Sequence, residues 1–203
     1  MTKYYNPEAV SAGQYFAKTA NGRSDQLDVK VICGQPNQLS RSRQAPSREM
    51  RNGVEIFRVV STLLDKNAVL FRVVNMLTLG TAMFWNSIWK LRQGDRVLIA
   101  TAPLTLPFTT ALASLIKGAS YTLLIHDYYP DQLVALGKLK PNSYPVRAMH
   151  FANAWLFKHS ARIIVTGRDT AELVAARTEG LDVQVSTIPI WADLPVVPTA
   201  DRK

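Results

Sequence analysis

The sequence predicts a single α/β domain of the doubly wound, Rossmann-like kind, with a mostly parallel sheet. Short runs rich in β-branched and aliphatic residues recur along the 203 residues, and each has the length of a strand. Longer segments with helical apolar spacing separate most of these runs. The strand-sized runs are largely apolar throughout, which is typical of parallel strands covered by helices on both faces.

The predicted strands, in chain order, lie at 29–33, 54–60, 97–100, 121–125, 163–165 and 183–188. The predicted helices, which have apolar residues at helical spacing, lie at 68–91, 106–116, 144–158 and 170–177. The segment 35–52 carries four arginines and two prolines without apolar periodicity, so we expect an exposed, mobile loop there. We expect one domain over residues 1–194 and a linker over 195–203, which includes two prolines.

The composition, with 47% hydrophobic and 19% charged residues, is that of a soluble globular protein. The net charge of +9 predicts attraction to anions, which include acidic lipids and phosphorylated substrates. A single cysteine, Cys33, excludes an intramolecular disulfide. Residues 1–7 lack the apolar core of a signal peptide, so we expect a cytoplasmic protein.

Several function classes lack their sequence signatures. No G-x-G-x-x-G follows a predicted strand and no G-x-x-x-x-G-K-[ST] occurs, which disfavours nicotinamide-dependent enzymes and P-loop nucleotidases. No Asp-x-Asp pair suggests a metal site. The basic residues form no recognised nucleic-acid-binding signature. We therefore expect no cofactor, no metal and no nucleic-acid partner.

Ligands of open α/β sheets bind outside the carboxyl ends of the strands, so the residues after each predicted strand are the candidate site. These residues include a histidine, carboxylates, an arginine and aromatic side chains, a mixture suited to polyhydroxylated or phosphorylated ligands. They lie at 34–37, 101–103, 126–131, 166–169 and 189–193.

Four stretches of sequence carry a resemblance to a known family. They read YNPE leading to SAGQ at 5–14, IHDYYPD at 125–131, GRD at 167–169 and IPIWAD at 188–193. In this order they resemble the amino-terminal domain of family 4 glycosyltransferases, which have the GT-B fold and act in bacterial surface polysaccharide biosynthesis. The resemblance covers nearly the whole chain.

The resemblance implies two groups of site residues. Ala12, Gly13 and Gln14 match the loop that opens the first helix, where backbone N–H groups approach the donor pyrophosphate. His126 and Asp127 match the catalytic cleft motif: the histidine would hydrogen-bond a hydroxyl of the sugar or acceptor, and Asp127 would orient the ring or act on the acceptor. The alternatives are that Gly13 only allows a turn and that His126 and Asp127 only satisfy their loop.

The remaining cleft and acceptor residues implied by the motifs are Tyr128, Tyr129, Asp131, Arg168 and Trp191. The aromatic side chains would stack on sugar faces, although aromatic residues at such positions equally serve packing. Arg168 would contact a phosphate or, alternatively, pair with Asp169 at the surface.

Residues 132–167 contain no acidic residue, and the basic residues there are Lys138, Lys140, Arg147, Lys158 and Arg162. Members of the family often use lipid-linked acceptors, so this positive face predicts peripheral contact with an anionic inner membrane. The alternative is an ordinary solvated basic face.

Two departures from the family follow from the resemblance. The family has an apolar strand at the centre of the sheet directly before the position of Tyr4, where this sequence has three residues, so we expect a sheet lacking its first strand. The family also has a second, donor-binding domain. We expect the acceptor-binding half of a retaining glycosyltransferase, inactive alone, that acts on a nucleotide-sugar and a glycan or lipid-linked acceptor. The alternative is a noncatalytic or split module completed by a separate donor-domain chain.

Overall fold

The computed structural model describes residues 1–5, 11–36, 45–62, 64 and 68–189, which form an α/β fold as predicted. The strands of this part of the chain are β1 Lys30–Gly34, β2 Arg48–Arg51, β3 Val54–Val59, β4 Arg96–Ala100, β5 Ser120–Ile125, β6 Arg162–Val165 and β7 Gln184–Thr187. Its helices are α1 Ser11–Asn21, α2 Val69–Lys90, α3 Leu106–Ile116, α4 Asp131–Ala135, α5 Tyr144–Lys158 and α6 Arg168–Thr178.

The strands form two sheets. One is entirely parallel with strand order β4-β5-β6-β7, and helices α3, α5 and α6 come between its strands in the sequence. The other has the order β1-β3-β2, in which β1 and β3 are parallel and β2 is antiparallel. The predicted mostly parallel sheet is confirmed.

Residues 1–3 lie between the two sheets and hydrogen-bond to both. On one side, Thr2 N–H donates to the Ile32 carbonyl at 3.2 Å and Gly34 N–H donates to the Lys3 carbonyl at 3.1 Å. On the other side, Ala100 N–H donates to the Met1 carbonyl at 3.1 Å, and the Met1 amino group donates to the Leu98 carbonyl. These three residues therefore run in the position that the family resemblance gives to the central strand.

The prediction of an exposed loop over 35–52 is wrong for its last part. Strand β2 pairs with β3 through a tight hairpin, in which Asn52 and Gly53 have φ of 49° and 73°. Asn-Gly favours this two-residue turn because both residues tolerate positive φ. Glu49 of β2 also pairs with the buried Arg58 of β3 at 2.7 Å. Residues 37–44 lie outside the described part.

The core is built from the apolar faces of the strands and the helices that pack on them. Ile99, Leu123 and Ile163, from β4, β5 and β6, have no exposed surface. Helix α3 begins and ends where its apolar spacing predicts, as does α5, and each has a proline in its first turn, where the missing N–H costs nothing. Among the described residues, no helix combines the length and apolarity needed to cross a membrane.

Candidate functional site

The carboxyl ends of the three central parallel strands meet at one edge. Ala100 of β4 pairs with Leu124 of β5, and Ile125 of β5 pairs with Val165 of β6. The residues that follow, Thr101 and His126, are therefore neighbours at this edge. The sequence prediction that strand-end residues lie together is confirmed for them.

Thr101 holds the loop that follows β5. His126 N–H donates to Thr101 Oγ1 at 3.3 Å, and Thr101 N–H donates to the Leu124 carbonyl at 3.2 Å. The Thr101 hydroxyl also lies 3.5 Å from the Asp127 carbonyl oxygen. A threonine at the end of one strand thus fixes the backbone on which His126 and Asp127 stand.

The His126 side chain is partly buried and has a free hydrogen-bonding atom. Its Nε2 is shielded from solvent and has no hydrogen-bond partner among the described residues. Burial lowers the pKa of His126 below its ordinary value of 6.5, and the nearby Asp127 opposes this shift. The imidazole is therefore neutral at pH 7, and Nε2 can donate or accept according to its tautomer.

Helix α1 reaches the same edge through Phe16. The Phe16 and His126 rings meet edge to face, with centroids 6.1 Å apart and planes at 82°. Ala12, Gly13 and Gln14 lie in the first turn of this helix; Gly13 is buried and Gln14 is exposed. Since Phe16 is one turn beyond Gly13, the amino-terminal half of α1 and the end of β5 border a common region.

Asp127 and Tyr129 occupy the surface of the loop after β5. The Asp127 carboxylate accepts a hydrogen bond from Gln132 Nε2 at 3.4 Å, and in the described residues it makes none to the His126 ring. Tyr129 is partly buried, and its carbonyl accepts a 2.6 Å hydrogen bond from Asn153 of α5. Asp127 therefore influences His126 through its charge.

Tyr128 corrects one sequence-based prediction, because it faces the core. Only 7% of the residue is exposed, and its ring stacks on Phe157 of α5 with centroids 6.1 Å apart. Burial, reinforced by the charge of Asp131, raises the pKa of Tyr128 to about 12. Its ring is not presented for stacking on a sugar, whereas the neighbouring Tyr129 remains partly exposed.

Asp131 also departs from its predicted place in the acceptor cleft. Its carboxylate accepts a hydrogen bond from Arg177 Nη2 of α6 at 3.4 Å and lies 3.7 Å from His150 Nδ1 of α5. Burial lowers the pKa of His150, Asp131 opposes that change and Arg177 adds to it. The three side chains join α4, α5 and α6, which is a structural role.

Arg168 begins α6 just after β6, and its side chain is exposed at the same strand-end edge. No ion pair joins Arg168 to Asp169, both of which are described. Trp191 lies outside the described residues. Where the structure describes the chain, no three His, Cys, Asp or Glu side chains cluster closely enough to hold a metal ion.

Sequence reasoning missed Phe16 and the residues of α5 that support the loop after β5. Val146, His150, Asn153 and Phe157 follow one another at spacings of four, three and four residues, so they share one face of α5. A histidine and an asparagine within an otherwise apolar stripe are a recognisable signal of buried polar contacts.

Comparisons with known proteins agree with this geometry. No protein-family model matches the chain. It is 34% identical over 85 residues to a protein named probable glycosyltransferase WbjE from Pseudomonas aeruginosa, a match covering 42% of this chain and 21% of that protein. The fold is similar to sucrose-phosphate synthase from Thermosynechococcus elongatus, with a TM-score of 0.52, 9% identity, and coverage of 88% of this chain and 86% of that one. The resemblance to GT-B glycosyltransferases is confirmed.

Proposed function

We propose that this chain is the acceptor-side half of a retaining glycosyltransferase. In the reaction, the bond between the anomeric carbon and the donor diphosphate breaks, and an acceptor hydroxyl oxygen bonds to that carbon and loses its proton. The acceptor is a glycan or a lipid-linked sugar. The glycosyltransferase likeness supports sugar transfer in general, and the geometry around His126 supports the acceptor side.

The observation that carries the proposal is the buried, unpartnered Nε2 of His126 at the carboxyl edge of a parallel sheet. A shielded polar atom without a partner is costly unless a ligand satisfies it. A neutral imidazole that can donate or accept suits a sugar hydroxyl, which does both. We assign His126 to the hydroxyl of the sugar or acceptor and Asp127, which is partly exposed beside it, to the acceptor.

The donor diphosphate is assigned to two helix starts at the same edge. The first turn of α1, with Ala12, Gly13 and Gln14, supplies backbone N–H groups, and Arg168 at the start of α6 supplies a cation. The family resemblance assigns the remaining contacts to a donor-binding domain. Since stabilising the leaving diphosphate is the largest electrostatic demand of the reaction, we propose that the 203-residue chain alone does not transfer sugar.

The test combines turnover with binding. The purified chain is mixed with UDP-glucose or GDP-mannose and a panel of methyl glycosides, and nucleoside diphosphate release is followed. We expect no release above spontaneous hydrolysis. Saturation-transfer NMR should nevertheless detect glycoside binding, which His126→Ala weakens about fivefold to tenfold by removing one hydrogen bond.

His159→Ala is the matched control, because His159 is exposed at the end of α5 and should leave glycoside binding unchanged. Circular dichroism verifies that both variants are folded. Turnover comparable to that of a two-domain enzyme would contradict the proposed inactivity. Equal glycoside binding by the parent chain and His126→Ala would contradict the assigned site.

We also propose that the outer face of α5 contacts an anionic membrane. Tyr144 and Phe151 are 87% and 81% exposed on this helix, and they alternate along it with the exposed Arg147 and Lys158. Aromatic and basic side chains on one helix face suit the boundary between lipid headgroups and acyl chains. Such a surface would hold the chain near a lipid-linked acceptor.

Vesicle flotation tests this surface. The chain should float with phosphatidylglycerol vesicles at low salt and stay in solution with phosphatidylcholine vesicles. The double variant Arg147→Glu, Phe151→Ser should lose flotation, whereas Arg96→Glu, an exposed change on β4, should retain most of it. Equal flotation of the parent chain and the double variant would show a solvated basic face.

The second candidate function is a noncatalytic or split module, which the incomplete diphosphate clamp favours. A separately expressed donor-binding domain would then restore turnover when added to this chain. Recovery of turnover would identify a split enzyme. Glycoside binding without recovery would identify a noncatalytic binding module.

A further inference from the structure

A groove of about 380 Å³ separates the two sheets, directly in line with residues 1–3. Strands β1 and β4 form its two sides, and each is the edge of its own sheet in the described residues. Apolar side chains from the strands and from helices α1 and α2 line it, and they include Phe16, Val31, Ile32, Leu91, Val97 and Leu98. The groove is therefore long, apolar and flanked by two strands.

The backbone groups of both strands are aimed at this groove. On β1, the Ile32 carbonyl faces Thr2, whereas the Val29 carbonyl accepts from Glu55 on the opposite side. Alternate residues of a strand direct their N–H and C=O groups to the same neighbour, so Lys30 and Ile32 face the groove.

The same alternation holds on β4. The Leu98 carbonyl faces Met1, whereas the Asp95 carbonyl accepts from Ser120 of β5. The N–H and C=O groups of Arg96 and the N–H of Leu98 are therefore directed into the groove. Two parallel strands thus present hydrogen-bonding groups to each other across a space one strand wide.

We propose that this groove is a binding site for an extended apolar peptide segment of about four residues, parallel to β1 and β4, whose carboxyl end joins the nitrogen of Met1. The hydrogen bonds of residues 1–3 define its direction and register. The segment would complete a continuous sheet from β2 to β7. This inference does not depend on the proposed transferase function.

The Met1 amino group supports the proposal. It is buried and donates to the Leu98 carbonyl, and burial lowers its pKa from 8.0 to about 6. A charged amine is poorly suited to the interior of a sheet. A peptide bond at this nitrogen would keep one N–H directed at Leu98 and remove the charge.

The apolar lining determines the side chains of the segment. Both strands and two helices contribute apolar atoms, so alternate side chains of the segment are covered on either face, as in a central parallel strand. A central strand tolerates neither proline, which lacks the N–H, nor a run of glycine and serine, which lacks apolar side chains.

The experiment compares three chains extended before Met1, each with the same polar leader at its start. One carries Val-Leu-Val-Ile, one the same residues with proline at the third position, and one Gly-Ser-Gly-Ser. We expect Val-Leu-Val-Ile to raise Tm by about 5 °C or more over the other two, because it buries apolar surface and completes the ladder.

Amide hydrogen exchange gives a local readout. The amides of Ile32 and Leu98 should be protected in the Val-Leu-Val-Ile chain relative to the other two. The amides of Gly34 and Ala100, already bonded to Lys3 and Met1, should change little. Equal Tm values and equal exchange in all three chains would overturn the proposal. Aggregation of the apolar chain alone would also overturn it, because a segment seated in the groove is shielded from other molecules.

Discussion

The Phe16 ring lies edge-on to the His126 imidazole, with centroids 6.1 Å apart. This contact joins the first helix to the end of β5, two elements separated by more than a hundred residues in the sequence. It also excludes solvent from one side of the imidazole, in keeping with the lowered pKa of His126. The two parts of the resemblance, the opening helix and the histidine motif, therefore border one cleft.

Replacing Phe16 should loosen this contact. Phe16→Ala removes a ring that is 7% exposed, and we expect a loss of about 3 to 5 kcal/mol in the free energy of unfolding. The pKa of His126 should rise towards its ordinary value as water reaches the ring. Urea unfolding and NMR titration of the imidazole measure the two effects. Phe16→Leu is the milder control, and an unchanged His126 pKa in Phe16→Ala would contradict the screening role.

The pH dependence of stability should include a contribution from His126. Because the pKa of His126 is lowered in the folded state, the unfolded chain binds the proton more readily below pH 6.5. The free energy of unfolding should therefore fall as the pH is lowered through 6.5. His126→Gln removes this contribution, leaving that of His150, whose pKa is also lowered. Urea titrations between pH 5 and 8 test this, and parallel profiles for parent and variant would be inconsistent with it.

Asp131 and Asp127 should differ in their effects. Asp131→Asn removes the charge that opposes the lowering of the His150 pKa, so that pKa should fall further while glycoside binding is unchanged. Its cost in stability should stay below about 1 kcal/mol because the ion pairs are partly exposed. Asp127→Asn should lower the His126 pKa and weaken glycoside binding. NMR titration of both histidines decides, and weaker binding in Asp131→Asn would return Asp131 to the cleft.

The buried amino terminus should make stability depend on pH in a second window. The Met1 pKa falls from 8.0 to about 6 on folding, so the free chain should lose about 3 kcal/mol between pH 8 and 6. Acetylation of Met1 removes the titrating group and should flatten this part of the profile. Mass spectrometry verifies that Met1 is retained. Identical profiles for the free and acetylated chains would show that the amine stays solvated.

The sequence predicted elements whose local pattern agrees with the tertiary structure. Helices α3 and α5 have the predicted bounds because their apolar spacing coincides with the packed face and a proline marks each start. Strand β2 was missed because its arginines suggested a loop, whereas the Asn52–Gly53 turn and the buried Arg58 hold it in the sheet. Local pattern alone does not weigh such long-range contacts.

The candidate site was predictable only in part for the same reason. His126 follows a strongly apolar strand, so its place at the sheet edge follows from the sequence. The places of Tyr128 and Asp131 depend on Phe157, His150 and Arg177, which lie on later helices. Their neighbours in the sequence do not reveal whether they face the cleft or the core.

The most direct measurement of the central claim is the ¹⁵N NMR signal of His126 Nε2 during titration of the 203-residue chain with methyl glucoside and methyl mannoside. A sugar hydroxyl bonded to Nε2 should shift this signal saturably, while the signals of His150 and His159 remain in place. Glycoside binding that leaves His126 Nε2 unchanged, or no binding at all, would contradict the assignment of this edge to the sugar acceptor.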